Sequence, residues 1–100
     1  MRVVQQTGDF KAWFAALLDV KARIAIVGRI DRLALGNPGD VKPVGKGVSE
    51  MRIHVGPGYR VYFGQTGKTI ILLLCAGTKK SQAKDISHAQ ALLAQAKMKP

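Results

Sequence analysis

Glu50-Met51-Arg52-Ile53-His54-Val55 alternates strictly between polar and apolar residues, turns through Gly56-Pro57-Gly58, and alternates again over Tyr59-Arg60-Val61-Tyr62-Phe63. A period of two is that of a strand with one buried face, and two such runs joined by a short glycine turn make an antiparallel pair. Met51, Ile53, Val55, Tyr59, Val61 and Phe63 are predicted to point to the core. Glu50, Arg52, His54, Arg60 and Tyr62 then share the other face. Downstream, Gln65-Thr66-Gly67-Lys68 makes a second hairpin turn, and Thr69 to Cys75 is apolar on both faces, as a central strand covered on two sides would be. Upstream, Asp40 to Gly47 reads as a polar, glycine-rich loop.

Outside this meander the period changes to that of helices. Val3 to Thr7 forms a short opening strand, and Thr7-Gly8-Asp9 offers capping side chains before Phe10, Trp13, Phe14 and Leu17, which recur at helical spacing. Asp19 can cap a second helix, with Val20, Val27, Ile30, Leu33 and Ala34 on one stripe and Lys21, Arg29 and Arg32 on the opposite face. Gly36-Asn37-Pro38-Gly39 stops it. A last helix starts near Ser81, with Ile86, Ala89, Leu93 and Ala96 on one side. The expectation is an α+β sandwich: a strand and a helical hairpin packed on an antiparallel meander, closed by a C-terminal helix.

With 100 residues, 47% of them apolar and 22% charged, the chain is expected to form one domain over residues 1–100. Its outlying property is charge. Sixteen Lys and Arg against six Asp and Glu give +10, and such an excess favours a polyphosphate partner, which releases condensed counterions on binding. An anionic membrane would instead ask for an amphipathic helix with the basic residues on one face. Cys75 has no second cysteine to pair with. No signal-like segment or run of ~20 apolar residues appears, so the expected location is the cytoplasm. Asp9, Asp19, Asp31, Asp40, Glu50 and Asp85 are scattered, and with two histidines and one cysteine they form no local metal set, so neither metal nor cofactor is expected. Gly67-Lys68-Thr69 resembles the end of a phosphate loop, but Tyr62 stands where the leading glycine belongs, and the segment joins two strands.

The positive charge concentrates in the sheet half. From Lys42 to Lys84 there are eight basic residues, Lys42, Lys46, Arg52, Arg60, Lys68, Lys79, Lys80 and Lys84, against Glu50 alone. Arg52 and Arg60 on adjacent strands, with His54 and Tyr62 on their face, are what a single-stranded RNA site needs, because guanidinium forks bind phosphate and aromatic rings stack on unpaired bases. The same set suits metal-free ribonuclease chemistry, where Arg or Lys neutralises the phosphorane and His, Tyr or Lys moves protons. Plainer readings stand beside these: Arg60 pairing with Glu50 across the strands, His54 as a surface residue, and Lys79 and Lys80 as solvated charge beyond Gly77. His88 carries no signal of its own.

The chain resembles the addiction module killer branch of the RelE/ParE/HigB toxin superfamily. The resemblance runs through Phe10-Lys11-Ala12-Trp13, Arg29 to Asn37, Gly39 to Gly45, Gly47 to Ile53, Gly56 to Phe63, Lys79 to Gln82 and Asp85-Ile86. It implies a RelE-like sandwich and a metal-independent endoribonuclease, an mRNA interferase, that cuts message on the ribosome and leaves a cyclic phosphate. Arg60 would contact the scissile phosphate, Lys79 would be the second cation, and Arg52 the preceding basic position. Where RelE carries a catalytic tyrosine this chain has Gln82 and Asp85, so His54 or Tyr62 would move the proton. On the charge pattern, Lys42, Lys46, Lys80 and Lys84 are expected to contact RNA, and Lys21, Arg29 and Arg32 to dock on 16S ribosomal RNA, with a solvated helix face as the plainer reading of these three. A cognate antitoxin protein is implied. Met51, Val55, Ala76 and Thr78 depart from the branch's pattern, and Ala76 would be penalised if its backbone needed positive φ. Two other readings remain: a ParE-like inhibitor of DNA gyrase that cuts nothing, and a passive RNA-binding module.

Overall fold

The computed structural model describes residues 2–98 and confirms the α+β sandwich. The order is β1 (Val3–Gln6), α1 (Gly8–Ala16), α2 (Val20–Ala34), β2 (Val41–Gly45), β3 (Val48–Ile53), β4 (Tyr59–Thr66), β5 (Ile70–Thr78), a 3₁₀ turn (Lys79–Ser81) and α3 (Gln82–Met98). The strands make one sheet in the order β1-β5-β4-β3-β2, antiparallel except that β1 runs parallel to β5. The helices α1 and α2 cover one face, where Phe10, Ala22, Ile26 and Leu33 pack on Met51, Ile53, Tyr59, Val61, Ile71 and Leu73. α3 covers the other, with Ala89 and Leu93 on Val48, Tyr62, Leu74 and Cys75.

Both helix starts are built as their side chains dictate. Thr7 Oγ1 accepts from the Phe10 amide and donates to the carbonyl of Leu74, so one hydroxyl starts α1 and ties it to β5. Asp19 Oδ1 accepts from the Ala22 amide at the start of α2. Between them Arg23 donates to the carbonyls of Phe14 and Leu17 and lies 4.3 Å over the Phe14 ring, satisfying the end of α1.

Three expectations need correction. The segment read as a loop from Asp40 to Gly47 holds β2, an edge strand paired with β3. Pro43 disguised it, because proline cannot donate to a ladder and survives in strands mainly at edges. A register shift between Pro43 and Gly45 sends Val41 to the α1–α2 core and Val44 to the α3 core. In α2 the buried residues are Ala22, Ile26 and Leu33; of the expected stripe, Leu33 is buried and Ile30 packs against the core, whereas Val20 and Val27 are exposed. Five of the fifteen residues of α2 are charged, and its aliphatic residues lie on two sides, Ala22, Ile26 and Leu33 towards the sheet and Val20, Ile24 and Val27 outward. Finally, β3 ends at Ile53, leaving His54 and Val55 outside the strand.

The apolar reading of β5 holds and has a cause. Tyr62 pairs with Cys75 and Phe63 with Leu73, so Leu74 is an extra residue at a bulge. Both Leu74 and Cys75 thereby reach the α3 core, while Leu73 and Ala76 remain on the other side. Ala76 does not have positive φ, so its departure from the family pattern carries no backbone strain there. Cys75 is buried, and burial pushes its thiol up to about 12.

α3 can lie on β4 and β5 because two glycines make room. A Cβ on Gly64 would sit 2.6 Å from Cδ2 of the buried Leu93, and one on Gly77 would sit 2.0 Å from Oδ2 of Asp85. Since Leu93 is locked in the core, Gly64→Ala is expected to lower stability by roughly 1–3 kcal/mol, read as the loss in unfolding free energy in urea; an unchanged midpoint would contradict this packing.

Candidate nucleic-acid interface

The antiparallel register sets two rows of side chains on the α3 face. Lys42, Glu50, Tyr62 and Cys75 lie opposite one another across β2, β3, β4 and β5, and the next row runs Arg52, Arg60, Gly77. Two arginines directly opposite each other repel, so this row needs a counter-charge. Glu50 supplies it from the adjoining row.

Glu50 is fully buried, and its two oxygens accept four bonds. Oε1 takes Arg60 Nη1 at 2.8 Å and Arg52 Nε at 3.0 Å; Oε2 takes Gln82 Nε2 at 2.9 Å and the Tyr62 hydroxyl at 3.1 Å. Four donors fill the lone-pair capacity of a carboxylate. Burial pushes the Glu50 carboxyl up, but the bonds from Arg52, Gln82 and Tyr62 and the charge of Arg60 outweigh it, leaving its pKa below the usual range. The carboxylate therefore stays ionised and fixes both guanidinium groups.

Those groups are not exhausted by this. Arg60 uses one N–H on Glu50, its Nε is buried without a partner among the described residues, and 13% of its side chain is exposed, which leaves the terminal N–H groups as the donors it can offer. Arg52 is 32% exposed, with only Nε committed. Glu50 and Asp85 together balance the two guanidiniums, so the net positive charge at the start of α3 comes from the lysines around them. Exposed Lys79 and Lys80 lie on the 3₁₀ turn directly after β5, exposed Lys84 on the first turn of α3, and exposed Lys42 opposite Glu50 on β2. Gly77, across from Arg60, gives the start of α3 its clearance, and Ser81 donates to Asp85 there.

Other expected site residues are placed differently. Tyr62 is sealed under α3, so its ring cannot stack on a base; burial, then the charge and hydrogen bond of Glu50, raise its pKa and keep it a phenol. The open face bearing an aromatic ring is thus corrected to a face closed over Glu50 and Tyr62 and open only beside the arginines. His54 lies past the strand end, exposed, with Nε2 2.6 Å from Asp40 Oδ2. Its hydrogen bond holds the Asp40 carboxyl below the usual range, aided by the charges of Arg52 and Arg29. Arg29 does not point away from the sheet: it donates to the carbonyls of Arg52, Pro38 and Asp40, pinning the loop before β2. Arg32 is exposed on α2, across the sheet from α3. Lys46 occupies the β2–β3 turn with φ 53°, at the opposite end of β3 from Arg52.

Gln82 is the participant that sequence patterns did not single out for this role. Only the fold brings the first residue of α3 onto Glu50, 32 positions away in the chain. Among the described residues no three His, Cys, Asp or Glu side chains converge as a metal-binding group.

Replacing Glu50 by Gln would leave two arginines without their counter-charge, at an expected loss of roughly 3 kcal/mol. The wild-type contribution has a defined sign with pH. Because the folded pKa lies below the unfolded value, the stabilisation is complete above the ordinary carboxylate range and is lost as pH falls through the depressed value. Urea unfolding of the wild type should therefore weaken with acidification, and Glu50→Gln should show a shallower dependence. Equal slopes for the two proteins would contradict an ionised Glu50.

Residues 12–99 match the family described as Phage derived protein Gp49-like (DUF891), a span that contains the whole Glu50 cluster. An uncharacterised protein of Haemophilus influenzae is 44% identical over 92 residues, which is 92% of this chain and 92% of its own length. By these matches the chain belongs to the phage-derived Gp49-like family.

Proposed function

We propose that this chain is the toxin of a type II toxin–antitoxin system, a single toxin domain acting in the cytoplasm as a ribosome-dependent, metal-independent mRNA endoribonuclease. Membership of the Gp49-like family, a family of HigB/RelE-like toxins, supports the toxin class and its need for a cognate antitoxin. The observation that carries the nuclease reading is the arginine pair: Glu50 holds both guanidinium groups side by side while leaving most of their N–H donors uncommitted.

In the proposed reaction the 2′-OH of one nucleotide attacks its own 3′-phosphate, the bond to the next 5′-oxygen breaks, and a cyclic phosphate and a 5′-OH result. One proton leaves the attacking hydroxyl and one reaches the departing oxygen. Arg60 and Arg52 neutralise the charge that grows on the phosphorane oxygens, and Lys79 adds a third cation. Preorganisation matters here, since the arginines need not reorient as that charge develops. Lys42, Lys80 and Lys84 contact flanking phosphates; Lys46 and Arg32 serve docking on ribosomal RNA, and Arg29, tied to carbonyls, adds charge alone.

Proton transfer is the part this cluster does not complete. Tyr62 is sealed and keeps its proton, and His54, bonded to Asp40, lines the depression beside α2 and not the arginine cluster. A site with its charge in place and its acid–base groups sparse supports a reaction that runs only when the ribosome positions the message.

Purified chain, ribosomes and a translated message, followed by primer extension, should give discrete breaks. Arg60→Ala, checked for fold by circular dichroism, should cut at least ~100-fold more slowly. Tyr62→Phe should cost about 1 kcal/mol in stability yet keep cleavage within about tenfold, as befits a residue that RNA does not touch. Intact messages in arrested cells would overturn the nuclease reading and favour a gyrase inhibitor.

A further inference from the structure

α2 presents a second apolar face that no part of the described residues covers. Val20, Ile24 and Val27 follow one another at i, i+4 and i+7 on its outer side, with relative exposures of 66%, 69% and 46%. Leu18, just before the helix, is 90% exposed. Ile24 is the ridge between two depressions. One, of about 310 Å³, is bounded by Phe14, Arg23 and Val27; the other, of about 450 Å³, runs beside Gly28 and Arg32 towards Ile53 and Val55. Aliphatic residues at helical spacing between two grooves are the receiving half of a helix-in-groove contact.

The charge around this stripe specifies what fits it. Lys21, Arg23, Arg29 and Arg32 border it, and none of them forms an ion pair among the described residues. Arg23 and Arg29 are held on backbone carbonyls, which fix their positions without cancelling their charge. Among the described residues the carboxylates around it are Asp31 near the end of the stripe, the capping Asp19, and Asp40, which is bonded to His54 beside the second depression. We propose that the outer face of α2 is the docking surface for an acidic amphipathic helix of a partner protein, its aliphatic residues astride Ile24 and its carboxylates on Lys21, Arg23 and Arg32. A second copy of the chain fits poorly, since each copy carries +10. A membrane surface fits poorly too, because the stripe is grooved and Trp13, the indole a membrane interface would use, packs edge-on against Tyr59 inside the protein. The antitoxin called for above is a protein that would bring such a helix, but the inference stands on α2 alone, across the sheet from the Arg52–Arg60 cluster.

Two displayed libraries of helical peptides test it on the intact chain, both with Leu or Ile at i, i+3, i+4 and i+7, one with Glu or Asp and the other with Lys or Arg at the remaining positions. Acidic helices should be selected over basic ones, and their binding should weaken as salt is raised. For the best binder, Ile24→Ser with Val27→Ser should cost at least ~10-fold in affinity, while the melting temperature of the chain stays the same. The proposal is overturned if no acidic helix is enriched, or if the double variant binds the selected helix as well as wild type. It is equally overturned if the surface proves to hold phosphatidylglycerol vesicles instead, or if sedimentation shows a dimer that the double variant abolishes. RNA breaks made by the same variant report on the arginine cluster separately, so failure of one reading is distinguishable from failure of the other.

Discussion

One buried carboxylate, that of Glu50, sets the terms for the surface around it. It sits where β3, β4 and α3 meet and takes one bond from each of Arg52, Arg60, Tyr62 and Gln82. Burying a charge costs several kcal/mol unless its lone pairs are filled, and here they are. In return the two arginines, which would repel across the strand pair, acquire a common anchor, and the first residue of α3 acquires a fixed seat. The same contact that joins helix to sheet orients the cationic groups at its edge.

The two faces of the sheet consequently differ in character. The α1–α2 side is a conventional apolar core of Phe10, Ile26, Met51, Val61 and Leu73. The α3 side is apolar from Ile86 through Ala89 to Leu93 and becomes polar towards Gln82. Positive charge collects at that polar end, where Arg52 of β3, Arg60 of β4 and Lys79 and Lys80 of the 3₁₀ turn join Lys84 at the start of α3. A polyanion would meet cations already in place, two of them held by Glu50, and would not have to gather flexible side chains one by one.

Much of the architecture was legible because it follows local rules. Period-two alternation from Glu50 to Phe63, the capping residues Thr7 and Asp19, and the apolar Ile70–Cys75 run each point to the element that forms. What was not legible depends on contacts between distant residues. The β2 strand hid behind Pro43, Gly45 and Gly47; its pairing with β3 is supplied by the neighbour and not by its own propensity. The buried face of α2 was not set by its pattern, because aliphatic residues on two sides of the helix offer the sheet more than one stripe. Alternation correctly put Arg52, Arg60 and Tyr62 on one side of the sheet, but it says nothing about what lies on top of that side. Only the return of α3, seated on Gly64 and Gly77, seals Tyr62 and turns a supposed stacking platform into a hydrogen-bond donor. His54 left the group for a different reason: its strand ends one residue earlier, and Asp40 captures the imidazole.

The central claim is that the paired guanidinium groups, held by Glu50, receive an RNA phosphate. Side-chain N–H resonances of arginine in isotope-labelled protein report this directly when an RNA made uncleavable by 2′-O-methyl groups is added. The signals of Arg52 and Arg60 should move together and saturate with the bound RNA. If they stay in place while other basic residues respond, the phosphate is bound elsewhere and the site assigned to this cluster is wrong.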